Sequence, residues 1–391
     1  MRIALIADED PGWGGIGTYT GILGRALRDS GHDVHLVLRG WEEDGVEELD
    51  GLAVHRVTVP EPSWRRGTVA LVSRLHVARE SLLFSARAAR ALARIAPDVV
   101  EAPEFHATGL MSALRARLDR RAPAVVVRLH TPAYLAARLA GEPADLDGRS
   151  EELLEAASVR AADRITSPSA ALAHEVTRRW RLAPDRVEVV PNPVDSDLFV
   201  PGERVPDPGC ILVAGRVERM KGQDVLIEAL PAILRAVPSA HVRLVGADGG
   251  ASAAVAKRSR ELGVESAVSF EGAVARHDLP AVYRSASVCV VPSCFDNFPY
   301  TCLEAMACGR PVVATDAGGA AEAIIRGRTG KIFPSEDSEA LGRAVVELLE
   351  APRRAEEMGA EARRETARRF APDAVAPRMV ELYADAVAAR R

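Results

Sequence analysis

The sequence predicts an α/β protein made of two doubly wound units, and three observations predict it. At 391 residues the chain is too long for one ordinary domain, and two domains of about 200 residues each are the natural division. Short β-branched apolar runs alternate with longer helical patterns from end to end, the mark of parallel sheets with helices on both faces. A Pro- and Gly-rich stretch at 191–209, PNPVDSDLFVPGERVPDPG, interrupts that rhythm and reads as an interdomain linker. The expected division is therefore 1–195, 196–370 and a terminal helix at 371–391.

In chain order, the first half offers strands at 2–7, 33–38, 53–57, 98–101, 124–129, 164–167 and 187–190, with helices at 15–30, 68–95, 109–121, 150–161 and 170–180. The pattern restarts after the linker with strands at 210–214, 241–245, 267–270, 288–291, 311–314 and 331–333. Helices at 222–237, 252–262, 279–285 and 301–308 lie between them, and from about 338 the chain is nearly all helical.

Composition narrows the function. Hydrophobic residues make up 48% and charged residues 27%, enough to bury a real core in water. A net charge of -5 gives no reason to expect nucleic acid as a partner. No apolar run approaches the ~18 residues of a membrane span. The N-terminal apolar run reads as a first buried strand, too short for a secretory signal. Five cysteines, Cys210, Cys289, Cys294, Cys302 and Cys308, form no CxxC or zinc spacing. They fall in apolar runs and read as core packing, with a cytoplasmic compartment expected.

Ligands of doubly wound folds bind at the carboxyl ends of strands, where strand order reverses. Four loops of that kind carry unusual chemistry. Gly12-Trp13-Gly14-Gly15-Ile16-Gly17 follows the first strand and opens a helix, so backbone N–H groups and the helix dipole can receive a phosphate or a sugar carboxylate. It also spells GxGxxG, the dinucleotide fingerprint. That reading is weakened by the four residues between strand and first glycine, and by Arg39 where a ribose-binding acid belongs; Arg39 would suit a 2′-phosphate. In the second half, Arg216 and Lys221 lie between a buried strand and a helix, five residues apart, and can clamp a diphosphate. Exposed cations are more often plain solvated surface.

The segment VVPSCFDNFPYTCLEAMACGRPVVAT at 290–315 holds Asp296, Asn297 and Phe298 in a loop, then a helix from about Thr301 with Glu304 in its first turns. Two acceptors so placed can hold sugar and ribose hydroxyls, while free N–H groups at the helix start take phosphate. The plainer alternative makes Asp296 a turn former and Glu304 a helix-dipole partner. His130 follows a near-continuous apolar strand directly and is the best placed of nine histidines.

GRVERMKG followed by SCFDNFPYTCLEAMACGRPVVATDAGGAAEAI resembles the retaining glycosyltransferase family 4, with its GT-B fold of two Rossmann-like domains facing across a cleft. The similarity runs over nearly the whole chain. It implies an N-terminal acceptor-binding domain and a C-terminal domain for a nucleotide-sugar donor. Gly14 and Gly15 then touch the donor, Arg216 and Lys221 neutralise the diphosphate, and Asp296 and Glu304 hold transferred sugar and ribose. Asn297, Phe298, Tyr300 and Thr301 join the donor contacts, and His130 faces the sugar to orient it. Asp296 stands where the family usually has Glu, shorter by about 1.5 Å. Pro299 stands where many relatives have Gly, leaving Tyr300 and Thr301 as backbone donors. Gly318, Gly319 and Glu322 match a supporting loop, and Asn192 with Asp195 a hinge loop.

The resulting expectation is a retaining hexosyltransferase acting on a glycan, glycolipid or small-molecule hydroxyl, with no cofactor. Of three DxD spellings, Asp8–Asp10, Asp145–Asp147 and Asp195–Asp197, two sit in Pro- or Gly-rich loops where Asp serves turns, and Arg216 and Lys221 already offset a diphosphate, so metal independence is expected. Arginines at 74, 79, 87, 90 and 94 read as a solvated face, or as a peripheral contact with anionic lipid. A nucleotide-sugar epimerase or NADP-dependent enzyme is the alternative, and a catalytically silent binding protein is the third reading.

Overall fold

The computed structural model describes residues 1–40, 43–59, 75–143, 145–203 and 206–391. They form two compact units, Met1–Pro193 with Val375–Arg391, and Val194–Ala374.

The first unit runs β1 (Arg2–Ala7), α1 (Gly14–Asp29), β2 (Asp33–Gly40), β3 (Gly45–Leu49), β4 (Leu52–Thr58), α2 (His76–Ile95), β5 (Val99–Pro103), α3 (Leu110–Leu118) and β6 (Ala124–Arg128). It continues through α4 (Ala133–Ala140), α5 (Leu146–Ala161), β7 (Arg164–Ser167), α6 (Ala170–Trp180) and β8 (Val187–Val189). Its sheet has the order β3-β4-β2-β1-β5-β6-β7-β8, parallel except for β3 on β4. β1, β5 and β6 are almost wholly buried apolar runs, as strands covered on both faces must be. Strand order reverses at β1, which pairs with β2 on one side and β5 on the other.

The second unit comprises β9 (Cys210–Ala214), α7 (Gln223–Ala236), β10 (His241–Val245), α8 (Ser252–Glu261), β11 (Val268–Phe270), α9 (Leu279–Ser285), β12 (Val288–Val291) and α10 (Tyr300–Ala307). β13 (Val312–Thr315), α11 (Ala320–Ala323), β14 (Gly330–Phe333), α12 (Ser338–Leu349) and α13 (Pro352–Phe370) complete it. All six strands are parallel, in the order β11-β10-β9-β12-β13-β14, and the reversal falls at β9. Two apolar clusters, around Leu212 and Met306 and around Ile211 and Leu230, take alternate residues of β9. Each such Leu, Ile or Met contributes about 1.5–3 kcal/mol by leaving water. The four cysteines Cys210, Cys289, Cys302 and Cys308 are buried, Cys294 is half-buried, and all five are free thiols.

The last helix, α14 (Pro372–Ala388), returns to the first unit. There Tyr383 donates to Glu101 at 2.7 Å and Arg390 pairs with Asp163 at 3.0 Å.

Most expected elements appear within a few residues of their predicted bounds. The helix expected at 68–95 is described only as α2, and 68–74, with Arg74, lie outside the described residues. α5 begins earlier than expected because the Asp145 side chain caps it, accepting from Gly148 N–H at 2.8 Å. β3 was not expected at all. It is an exposed edge strand joined to β4 by Asp50-Gly51, both at positive φ, the two-residue hairpin turn that the sequence spells as DG.

Candidate functional site

Both reversal points carry charge. In the second unit, β9 ends at Ala214, and its loop presents Arg216, 66% exposed, before a 3-10 turn that ends at Lys221. The neighbouring β12 ends at Val291, and its loop brings in Asp296. The Lys221 ammonium lies 2.7 Å from Asp296 Oδ2, which also accepts from the Ser293 hydroxyl at 3.4 Å. Close backbone approach makes the pairing possible. Gly222 has φ +65°, and a Cβ there would run into the Pro292 carbonyl, so only glycine lets the two loops touch. Cys294 N–H donates to Met220 O at 2.9 Å across the same seam. On the other side Gly318 rests on the Asp296 backbone, and Gly319 N–H donates to Asp296 O at 2.7 Å. Asp296 is thus held from both flanks.

α10 starts directly after this loop. Its N-cap is Pro299, which offers no side-chain cap, so first-turn N–H groups such as that of Thr301 lack an intrahelical acceptor. Glu304, one turn on, is buried; it accepts from Tyr283 at 2.9 Å and from Arg276 at 3.1 Å. Burial raises its pKa, against the pull of Arg276. At the ends of β9, β10 and β11 lies a cavity of about 400 Å³, lined by Val217, Leu244, Gly246, Ser252, Ala256 and Phe270.

In the first unit, β1 ends at Ala7 and β5 at Pro103, and the loops that follow meet through His106. Its Nδ1 lies 2.9 Å from Asp8 and its Nε2 3.3 Å from Glu151 of α5. His106 has φ +57°, uncommon for a side chain of this size. Two further carboxylates sit behind it without exposure. Glu155 accepts from Ala133 N–H at 3.0 Å and from His106 N–H at 3.3 Å. Glu104 accepts from His130 N–H at 2.8 Å through both oxygens. Burial pushes Glu104 up to about 8 and Glu155 well above the carboxylate range, with Glu104 adding to the second shift. The His130 ring sits edge-on to Tyr19 at 5.3 Å. Burial, then the charge of Arg128, lowers its pKa to about 3, so the ring is neutral at any ordinary pH.

Two families of known proteins match this chain in sequence. The family described as Glycosyltransferase Family 4 matches residues 13–198, and Glycosyl transferases group 1 matches residues 197–365. A D-inositol 3-phosphate glycosyltransferase from Kribbella flavida is 31% identical over 370 residues, covering 88% of this chain and 85% of the relative. The chain belongs to the family 4 glycosyltransferases.

A second such relative, from Catenulispora acidiphila, is 33% identical over 246 residues, 59% of this chain and 57% of its own length. Among solved structures, a sucrose-phosphate synthase from Thermosynechococcus elongatus aligns over 99% of both chains, with a TM-score of 0.79 at 24% identity. The Anabaena protein HepE in complex with UDP aligns over 98% of this chain and all of its own, with a TM-score of 0.72 at 20% identity. The fold is accordingly GT-B, two Rossmann-like domains.

Within this family 4 glycosyltransferase, the structure brings Arg216, Lys221, Asp296, Asn297, Tyr300 and Thr301 to one strand reversal. It treats four expected residues differently. The Phe298 ring is buried against Phe370 at 5.4 Å, because the helix that follows needs an apolar anchor, so its side chain belongs to the core. Glu304 faces Arg276 and Tyr283, and a ribose hydroxyl reaches it only by joining that buried network. Gly14 and Gly15 are exposed at the start of α1, but Glu9 already sits on that helix end, accepting from Gly17 N–H at 3.2 Å. The dinucleotide reading falls with the family assignment, and Arg39 is paired with Glu80 at 2.6 Å. The DxD carboxylates meet protein donors: Asp8 with His106, Asp10 with Arg56, Asp147 with Val77 N–H, Asp195 with Leu198 N–H. No cluster of three or more His, Cys, Asp or Glu placed for a metal exists among the described residues. The Asp8–His106–Glu151 group was missed. Its three members are 143 positions apart from first to last in the sequence, and no motif joins them.

Proposed function

We propose that this glycosyltransferase draws its sugar from a nucleoside diphosphate sugar, retains the anomeric configuration and needs no metal ion. The observation that carries the reading is the Lys221–Asp296 pair at the β9 reversal, with Arg216 exposed beside it and the uncapped start of α10 in the same loop set. A cation and an acceptor side by side suit a ligand whose phosphate adjoins its sugar hydroxyls. Lys221 and Arg216 offset the charge that grows on the diphosphate, and Asp296 accepts from a sugar hydroxyl. The apolar cavity beside Val217 and Phe270 is of a size for a nucleobase.

In the proposed step the bond from the anomeric carbon to the β-phosphate oxygen breaks, and its electron pair stays on the phosphate. The acceptor oxygen attacks the same face, and its proton passes to that phosphate oxygen. Fixed positive charge at the departing oxygen supplies the main stabilisation. His130, a neutral ring beside Tyr19, serves as a hydrogen-bonding group for the sugar, with Gly14 and Gly15 as further donor contacts. The first unit is assigned the acceptor.

A thermal-shift panel of UDP, GDP, ADP and TDP with their sugar conjugates, with and without EDTA, tests this. A ligand at 100 times its Kd adds about 2.7 kcal/mol of stability. Stabilisation by one nucleoside diphosphate series, insensitive to EDTA, is expected. A shift that needs Mg²⁺ removes metal independence, and an inverted product anomer by NMR removes retention.

A further inference from the structure

The first unit holds a second charged feature, away from the strand reversal. Between α2 and the β2–β4–β3 edge of the sheet runs a groove of about 690 Å³. Its floor is His35 and His55, whose rings lie 5.2 Å apart, with His35 Nδ1 3.0 Å from His55 Nε2. One wall is α2, which contributes Arg87, Arg90 and Arg94 at spacings of three and four, hence on one helix face. Arg2 and Arg56 reach the same space from β1 and β4. Among the described residues of the lining, five arginines and two histidines stand against one carboxylate, Asp44.

Part of that charge is already matched. Arg2 pairs with Asp33 at 2.6 Å, Arg56 with Glu47 at 2.7 Å and Arg87 with Asp44 at 2.8 Å. Arg87 Nε is nevertheless buried with no hydrogen-bond partner among the described residues. Arg90 and Arg94 are exposed and meet no carboxylate among the described residues. Like charges at i, i+3 and i, i+4 repel and lower helix stability. The helix dipole favours a cation in the last turn, which accounts for Arg94 and not for a row that starts two turns earlier. Every cation of the row is arginine, and lysine is absent from residues 1–193. Planar forks converging on a cavity match the oxygens of phosphate and carboxylate, and several cations together favour the more highly charged phosphate.

We propose that this groove is a phosphoanion-binding site, distinct from the donor site, that takes a phosphate ester or diphosphate group on Arg90 and Arg94. The group can be free in solution or the head group of an anionic lipid. The proposal does not depend on the donor reading.

The test uses the full chain at fixed ionic strength, as the wild type and as Lys221→Ala, so that a phosphate held at the β9 reversal is told apart from one held in the groove. Calorimetry with inorganic phosphate and pyrophosphate probes the free ligand. Cosedimentation with phosphatidylcholine vesicles, with and without phosphatidic acid, probes the lipid. Binding of pyrophosphate in one-to-one ratio, or of acidic vesicles alone, is expected and says which source applies. Arg90→Ala with Arg94→Ala should weaken it at least tenfold on either background, with unchanged circular dichroism. Arg343→Ala with Arg353→Ala, removing two exposed cations of the second unit, should leave it within twofold. No binding of either probe at millimolar concentration overturns the proposal, as does an equal loss in the two double variants.

Discussion

At the β9 reversal the charged side chains stand partly in water: Arg216 is mostly exposed, and Lys221 and Asp296 are half-buried and paired with each other. At the β1 reversal the carboxylates lie inside. Glu104 and Glu155 have no exposure, and their partners are backbone N–H groups of the loops that bear His106 and His130. The first arrangement keeps charge available to a ligand. The second uses carboxyl oxygens as hydrogen-bond acceptors that fix loop shape, and burial raises the pKa of both groups, that of Glu104 to about 8. On the proposed reading, a site that does chemistry and a site that holds geometry are distinguishable by where their acids point, even when both lie at a strand reversal.

That contrast can be broken most sharply at Lys221. Lys221→Ala removes a preorganised cation and should cost about 2.7–4 kcal/mol of transition-state stabilisation, ~10²–10³ in kcat, at an unchanged melting temperature. Near-normal kcat would end the assignment of the second reversal to chemistry. Glu155→Ala should do the opposite, costing stability by orphaning two backbone N–H groups at about 1–3 kcal/mol each. Urea unfolding followed by tryptophan fluorescence reads this, and Glu155→Gln, which keeps one acceptor oxygen, should lose less. Equal losses in the two variants would show that charge, not the backbone contact, matters at that position.

A gentler effect concerns pH. Glu104 rises from its ordinary value of 4.5 to about 8 on folding, so the folded chain binds the extra proton between those limits. Its contribution to stability is full below about pH 4.5 and declines as pH rises toward 8. Glu104→Gln should flatten the fall in melting temperature across that window relative to the wild type; an unchanged slope would remove the buried acid from the account. The smallest effect belongs to His130. With a pKa near 3 it adds no limb to the pH–rate profile between pH 5 and 8. His130→Gln should therefore lower kcat/KM without changing the profile's shape, and loss of a limb near pH 6.5 would show that the ring titrates.

The second unit was far more legible in sequence than the first. β9 and β12 are unbroken apolar runs, and charged residues follow them within a few positions, so placing Arg216, Lys221 and Asp296 needed only strand ends. Burial was not legible. Nothing in FDNFPY tells that Phe298 turns inward to Phe370, and nothing in CLEAM tells that Arg276 and Tyr283 close over Glu304. In the first unit Asp8, His106, Glu151 and Glu155 come from three separate segments, and only the parallel register of β1 with β5 brings two of these together. The β3–β4 hairpin was an oversight of a different sort, since its DG turn was present to be read.

The carboxylate of Glu9 on the first turn of α1 makes the protein its own competitor. A tethered group acts at an effective concentration in the millimolar range or above, and dilution never lowers it. On the proposed role of Gly14 and Gly15, an anion binding there must displace this resident. A substrate gripped elsewhere as well would arrive with its own tether and meet the carboxylate on equal terms. The glycine loop would then act as a threshold, favouring ligands bound at more than one point over those that offer charge alone.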